Sequence, residues 1–109
     1  MQVSMHINEA NLGESLRSYL ERKLRFALAH FRDRVGLVTA RTSVEARGKA
    51  RCRIIADMLP FGRVIAEETG PDLFSAVDRA TATMGRRAHR ELERARDARF
   101  GRESVRLAA

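Results

Sequence analysis

The period of the apolar residues changes along this chain, and each change marks an element boundary. Val3, Met5 and Ile7 alternate with Gln2, Ser4 and His6, the two-residue period of a half-buried strand. From Leu12 to Phe31 the apolar positions become Leu12, Leu16, Leu20, Leu24, Ala27, Leu28 and Phe31, one stripe of a helix. Alternation returns at Val38, Ala40, Thr42 and Val44, resumes at Ala50, Cys52, Ile54, Ala56 and Met58, and ends in a short run from Arg63 to Glu68. A helical stripe then reappears as Phe74, Val77, Thr81, Met84, Ala88, Leu92 and Ala95.

The residues between these runs suit the turns they must make. Ala46-Arg47-Gly48-Lys49 supplies the glycine of a hairpin, so the second and third strands pair antiparallel. Leu59-Pro60-Phe61-Gly62 breaks the ladder with proline and reverses at glycine. The first helix has two candidate starts, a capping box of Asn11 with Glu14 or an N-cap at Gly13. In the second, Pro71 suits the first helical position and Asp72 the first turn. Gly85 lies inside that helix at a cost of about 1 kcal/mol relative to alanine and marks a bend or a close contact. The pattern predicts an α+β fold of order β-α-β-β-β-α, an antiparallel meander in a four-stranded sheet with two helices packed on one face. Val3, Met5, Ile7, Val38, Ala40, Cys52 and Ile54 are expected to face the helices. With 109 residues the chain makes one domain, set at residues 1–99. Residues 100–109, where the pattern fades, are expected to form a flexible tail.

Charge is distributed unevenly over this pattern. The chain carries a formal net charge of +7, and from Arg79 onward nine arginines face four acids. At about 100° per residue, Arg79, Arg86, Arg90 and Arg94 fall within roughly 80° of one another, with Arg87 at the margin. That stripe lies opposite the apolar one. No acid stands four residues from Arg86, so helical pairing does not neutralise the stripe. A solvated face written by arginine-rich codon usage is one reading; a polyanionic partner is the other. A sequence pI near 11.1 accords with nucleic acid or an anionic surface.

Other chemistry is thinly represented. Cys52 is the single cysteine, which excludes an internal disulfide, and it falls on the apolar side of a strand. His6, His30 and His89 sit on separate elements without a ligand pattern, and Glu67 and Glu68 point to opposite faces of a strand. Neither a catalytic constellation nor a glycine-rich phosphate loop is present. The chain reads as a binder rather than an enzyme, with no cofactor and no metal. There is no apolar run of membrane-spanning length, and MQVSMHINE lacks the regions of a signal peptide; a cytoplasmic location is expected.

Two segments resemble a known family. Tyr19-Leu20-Glu21-Arg22-Lys23-Leu24, followed by His30-Phe31, is similar to the first helix of the ribosome hibernation promoting factor and ribosome-associated inhibitor A family. Asp72-Leu73-Phe74-Ser75-Ala76-Val77-Asp78 resembles the opening of that family's second helix, and the resemblance covers roughly residues 1–98. It implies a fold shaped like a double-stranded-RNA-binding domain. It also implies that the protein occupies the mRNA and tRNA channel of the small ribosomal subunit, blocks translation and preserves idle ribosomes under stress. The implied ribosomal-RNA contacts are Arg22, Lys23 and Arg25 on the first helix and Arg79, Arg86, Arg87, Arg90 and Arg94 on the second. Met84 and Leu92 depart from the family pattern, standing where lysines are expected. No segment resembles the C-terminal domain with which long members pair ribosomes, so pairing would need another hibernation factor, and a free monomer is expected.

Tyr19 and the phenylalanines mostly fall at core spacing, which leaves shape and phosphate rather than stacked bases as what such a domain reads. A double-stranded-RNA-binding domain proper is a structural rival, although Glu67, Glu68 and Asp72 near the second helix disfavour it. A regulator acting through protein contact, of the sigma-factor-modulator type, is the rival from another class.

Overall fold

A computed structural model describes the backbone of residues 1–7, 13–60 and 62–108, with side chains within those spans as far as Arg96. The elements follow in the order β1 (Gln2–Ile7), α1 (Gly13–Ala27), a 3-10 segment (Ala29–Arg34), β2 (Val35–Val44), β3 (Ala50–Met58), β4 (Gly62–Gly70) and α2 (Leu73–Ala108). The strands form one sheet in the order β1-β2-β3-β4. β2, β3 and β4 are the expected antiparallel meander. β1 instead joins parallel to β2, with Val3 opposite Val38 and Met5 opposite Ala40. A helical crossover separates these two strands, and such a connection delivers parallel rather than hairpin neighbours.

Both helices lie on one face of the sheet. Val38, Ala40, Cys52 and Ile54 are fully buried beneath them, and Val3, Met5 and Ile7 are half-buried against the same core. α1 contributes Leu16, Leu20 and Leu24, and Leu28 follows just past its end. Its regular turns stop at Ala27, short of the expected Phe31. A 3-10 segment tightens the chain there, with the Phe31 amide bonded to the Leu28 carbonyl at 3.0 Å, so Phe31 still reaches the core before β2 begins. Asn11 lies outside the described residues.

Two details escape simple alternation. β2 starts at Val35 and carries a bulge between Val35 and Val38, so two buried residues stand three apart, which a strict period of two cannot produce. At the other junction Asp72 is the helix cap: its Oδ1 accepts the Ser75 amide at 2.7 Å. Pro71 therefore precedes α2 instead of opening it, and Asp72 binds the amides of the first turn from outside. α2 continues to Ala108 through the segment set apart as a tail.

Two glycines sit at close approaches of different tightness. A Cβ at Gly70 would meet the Ala76 amide nitrogen at 2.9 Å and Ser75 Cβ at 3.0 Å, so the end of β4 can touch the first turn of α2 only without a side chain. A Cβ at Gly85 would meet Ala27 of α1 at 3.5 to 3.6 Å, an ordinary contact. Gly85→Ala is thus expected to raise the unfolding free energy by up to about 1 kcal/mol through helix propensity, and Gly70→Ala to lower it. Thermal melts of the two variants check the opposite signs, and a fall for both would remove this account of Gly85.

Candidate nucleic-acid interface

α2 returns antiparallel over β4, and this places its two flanks against different neighbours. Its buried face is Leu73, Ala76, Val77, Ala80, Thr81, Thr83, Met84 and Ala88. Met84 is fully buried and Leu92 packs half-buried on the core, so both positions belong to the interior here rather than to a basic face. One flank meets α1, where Tyr19 packs edge-on against Phe74 with ring centroids 5.1 Å apart. The other flank overhangs β4, the edge strand.

The predicted basic residues divide between these flanks. On the α1 side, Lys23 Nζ lies 3.5 Å from Asp78 of α2, and Arg22 and Lys23 both stand over the Tyr19 ring. Tyr19 donates to the same Asp78 carboxylate, and this hydrogen bond holds its phenol above the usual tyrosine range. Arg25 pairs with Glu21 of its own helix at 2.9 Å. On the β4 side, Arg79 donates to the Thr69 carbonyl at 2.9 Å and Arg87 to the Ile65 carbonyl. Arg86 donates to Thr83 Oγ1 at 3.0 Å, and that hydroxyl donates to Glu68. Arg94 reaches Glu91 at 3.4 Å. Arg90 has no polar partner among the described residues.

Arg87, Arg90 and Arg94 come together around a cleft of about 250 Å³ that Arg63 of β4 completes, with Glu91 as the acid in its lining. A second cleft of about 390 Å³ lies at the start of α2, where Arg79 joins Arg47 and Lys49 from the β2–β3 turn. Arg63, Arg47 and Lys49 are additions that helix geometry alone does not find. They come from strands and turns, and only the docking of α2 on β4 brings them beside the stripe. Arg47 holds φ 69°, a left-handed conformation that favours Gly or Asn, in the turn that aims it at this cleft. The α2–β4 flank thus presents seven cations and one acid in its two clefts.

The rest of the molecule offers less chemistry. Among the described residues no group of His, Cys, Asp and Glu could hold a metal ion. Burial pushes the Cys52 thiol up to about 12, which leaves it protonated and a poor nucleophile at neutral pH. Phe26, on the solvent side of α1, is 83% exposed, and is the one aromatic among the described residues that core spacing does not explain. No described helix is long and apolar enough to cross a membrane.

A model of the family described as "Sigma 54 modulation protein / S30EA ribosomal protein" matches residues 3–96. Among solved structures, the chain is similar to the crystal structure of the Protein Y N-terminal domain of Thermus thermophilus, with a TM-score of 0.70 and 29% identity over 83% of this chain and 98% of that one. A ribosomal subunit interface protein from Coxiella burnetii shares the fold, with a TM-score of 0.68 and 16% identity over 84% of this chain and 99% of its own. No protein of curated function matches the chain.

The contacts of Arg79 and Arg87 carry a structural consequence of their own. Both guanidinium groups cover carbonyls of β4, and an uncovered strand edge is a template for pairing with another chain. The double substitution Arg79→Ala with Arg87→Ala is expected to increase concentration-dependent self-association, read by light scattering or analytical ultracentrifugation. A variant as monodisperse as the parent at equal concentration would show that the edge needs no such cover.

Proposed function

The chain belongs to the Sigma 54 modulation protein / S30EA ribosomal protein family, and from that premise we propose that it binds the small ribosomal subunit as a hibernation factor. In this reading it occupies the channel for mRNA and tRNA, blocks translation and keeps idle ribosomes intact under stress in the cytoplasm. The observation that carries the proposal is the pair of basic clefts along α2 and β4, with seven cations against one acid. Surplus cation on a rigid surface repels itself and is stabilised by a partner dense in phosphate. The contacts expected at the RNA are Arg79, Arg86, Arg87, Arg90 and Arg94 of α2, joined by Arg63, with Arg22, Lys23 and Arg25 of α1 as a second strip.

Most of these side chains hold internal partners, and those partners do not forbid the role. Lys23 with Asp78 and Arg25 with Glu21 are exposed pairs, a class worth roughly 0 to 1 kcal/mol. A phosphate can therefore replace either acid at little cost. Among the described residues the helices carry no row of exposed aromatics that could stack several bases, so recognition rests on the shape and phosphates of folded RNA instead of base identity. Occupancy itself is the mechanism: a folded domain held in the channel excludes the ligands that use it. No bond is made or broken.

Sedimentation with purified small subunits over a KCl series tests this. The parent is expected to co-sediment at low salt and to release steeply as salt rises. Arg86→Glu with Arg90→Glu should abolish co-sedimentation while leaving the melting temperature within a few degrees, because Arg90 has no internal partner and Arg86 only a threonine hydroxyl. Undiminished binding by the double variant would rule out this surface. Capture of a free protein, insensitive to nuclease, would favour the sigma-factor-modulator reading in its place.

A further inference from the structure

The face of the sheet turned away from the helices carries charge that the α2–β4 clefts do not use. Its two central strands place Arg41 of β2 directly opposite Arg53 of β3. Both side chains are exposed. Like charges paired across strands destabilise a sheet, so this arrangement calls for compensation, and the neighbouring acids do not supply it. Glu67, the cross-strand neighbour of Arg53 on β4, is engaged by Arg51 at 3.3 Å. Asp57 is engaged by Arg63 at 3.1 Å. Among the described residues Arg41 and Arg53 have no acid within salt-bridge distance. Two open clefts, of about 370 and 380 Å³, flank the pair on either side, and Arg41 and Arg53 line both.

We propose that this open sheet face is a second RNA contact, in which Arg41 and Arg53 together hold a phosphate of a single RNA strand running through the two clefts. The inference rests on the reading that the partner is RNA and adds a face opposite the helices. A phosphodiester has two non-bridging oxygens that share its negative charge, one for each guanidinium, and the planar fork of arginine suits that geometry. The contact is to backbone, because the described residues that line the clefts include no Phe, Tyr or Trp on which a base could stack. A strand fits better than a lone phosphate. The site is shallow and wet, where one ion pair is weak, and only a ligand with successive phosphates can use the pair and its flanking clefts at once.

The test compares the parent, Arg41→Thr with Arg53→Thr, and the α2 variant Arg86→Glu with Arg90→Glu, binding to small subunits over KCl at fixed magnesium. Loss of the two sheet arginines is expected to weaken binding and make the plot of log affinity against log salt shallower by about 0.7, the share of one neutralised phosphate on single-stranded backbone. Thermal stability should not fall, because removal of a like-charge pair relieves repulsion. An unchanged slope and affinity for the sheet variant, with binding lost in the α2 variant, overturns the second face and leaves the RNA reading standing. Parent-like binding by both variants overturns the two together. Thermal stabilisation of the parent by millimolar inorganic phosphate alone, absent in the sheet variant, would identify a small-anion site and overturn the assignment to an RNA strand.

Discussion

The approach of α2 to the end of β4 at Gly70 is the constraint on which the remaining geometry depends. Without a Cβ at that residue the first helical turn lies against the strand, Asp72 caps it at once, and the helix must run back antiparallel over the strand it has just left. The two periods then coincide. Eight helical residues advance about 12 Å, and four strand residues about 13 Å. Arg79 and Arg87, eight apart, can therefore reach the carbonyls of Thr69 and Ile65, four apart. The same coincidence sets Arg90 and Arg94 beside Arg63. A helix leaving at another angle would keep its arginine stripe and lose both the edge cover and the cleft.

Arginine suits both tasks. Its fork of donors satisfies a strand carbonyl in the free protein and a phosphate in a complex, and it does not lose its charge at any accessible pH. Partners such as Glu21, Asp78 and Glu91 hold cations in place without deep burial, so the surface is ordered yet exchangeable. This economy is absent on the outer sheet face. There Arg51 and Arg63 take the two acids in reach, and Arg41 and Arg53 keep an uncompensated repulsion in the centre of the sheet. An arrangement that lowers the stability of the free protein while providing donors for an anion is what a binding surface looks like from the folded side.

Much of the fold was legible because apolar spacing is a local property. Ala50, Cys52, Ile54, Ala56 and Met58 alternate in the sequence and are all buried, and the leucine stripe of α1 is buried as its period requires. What local spacing omits is any event that changes register or handedness. The bulge between Val35 and Val38, the parallel seating of β1 and the cap at Asp72 each depend on a neighbour distant in sequence or on one backbone rotation. The candidate binding surface was half legible for the same reason. The stripe on α2 follows from its own helical period, whereas Arg63, Arg47, Lys49 and the Arg41–Arg53 pair follow from strand register and helix docking. Phe26 was legible too: about 200° from both Leu24 and Leu28 on the helix, it lies off the buried stripe of α1, and it is 83% exposed.

The sizes of the buried side chains complete the account of how the β4 edge comes to be covered. α1 stands on Leu16, Leu20 and Leu24, with Leu28 just beyond its end, long side chains that set a wider spacing from the sheet. α2 rests largely on small residues, with Ala76, Ala80 and Ala88 at its points of burial beside Thr81 and Thr83. Helices packed through small side chains approach more closely, since their distance follows the residues at the contact. The low seat of α2 brings its flank within reach of the β4 backbone, so Arg79 and Arg87 meet carbonyls and not only water. Larger residues at Ala80 or Ala88 would therefore do more than overpack the core. They would lift the helix from the strand and open the cleft between Arg63 and Arg87. In this fold the volume of the buried face sets the spacing of the charged one.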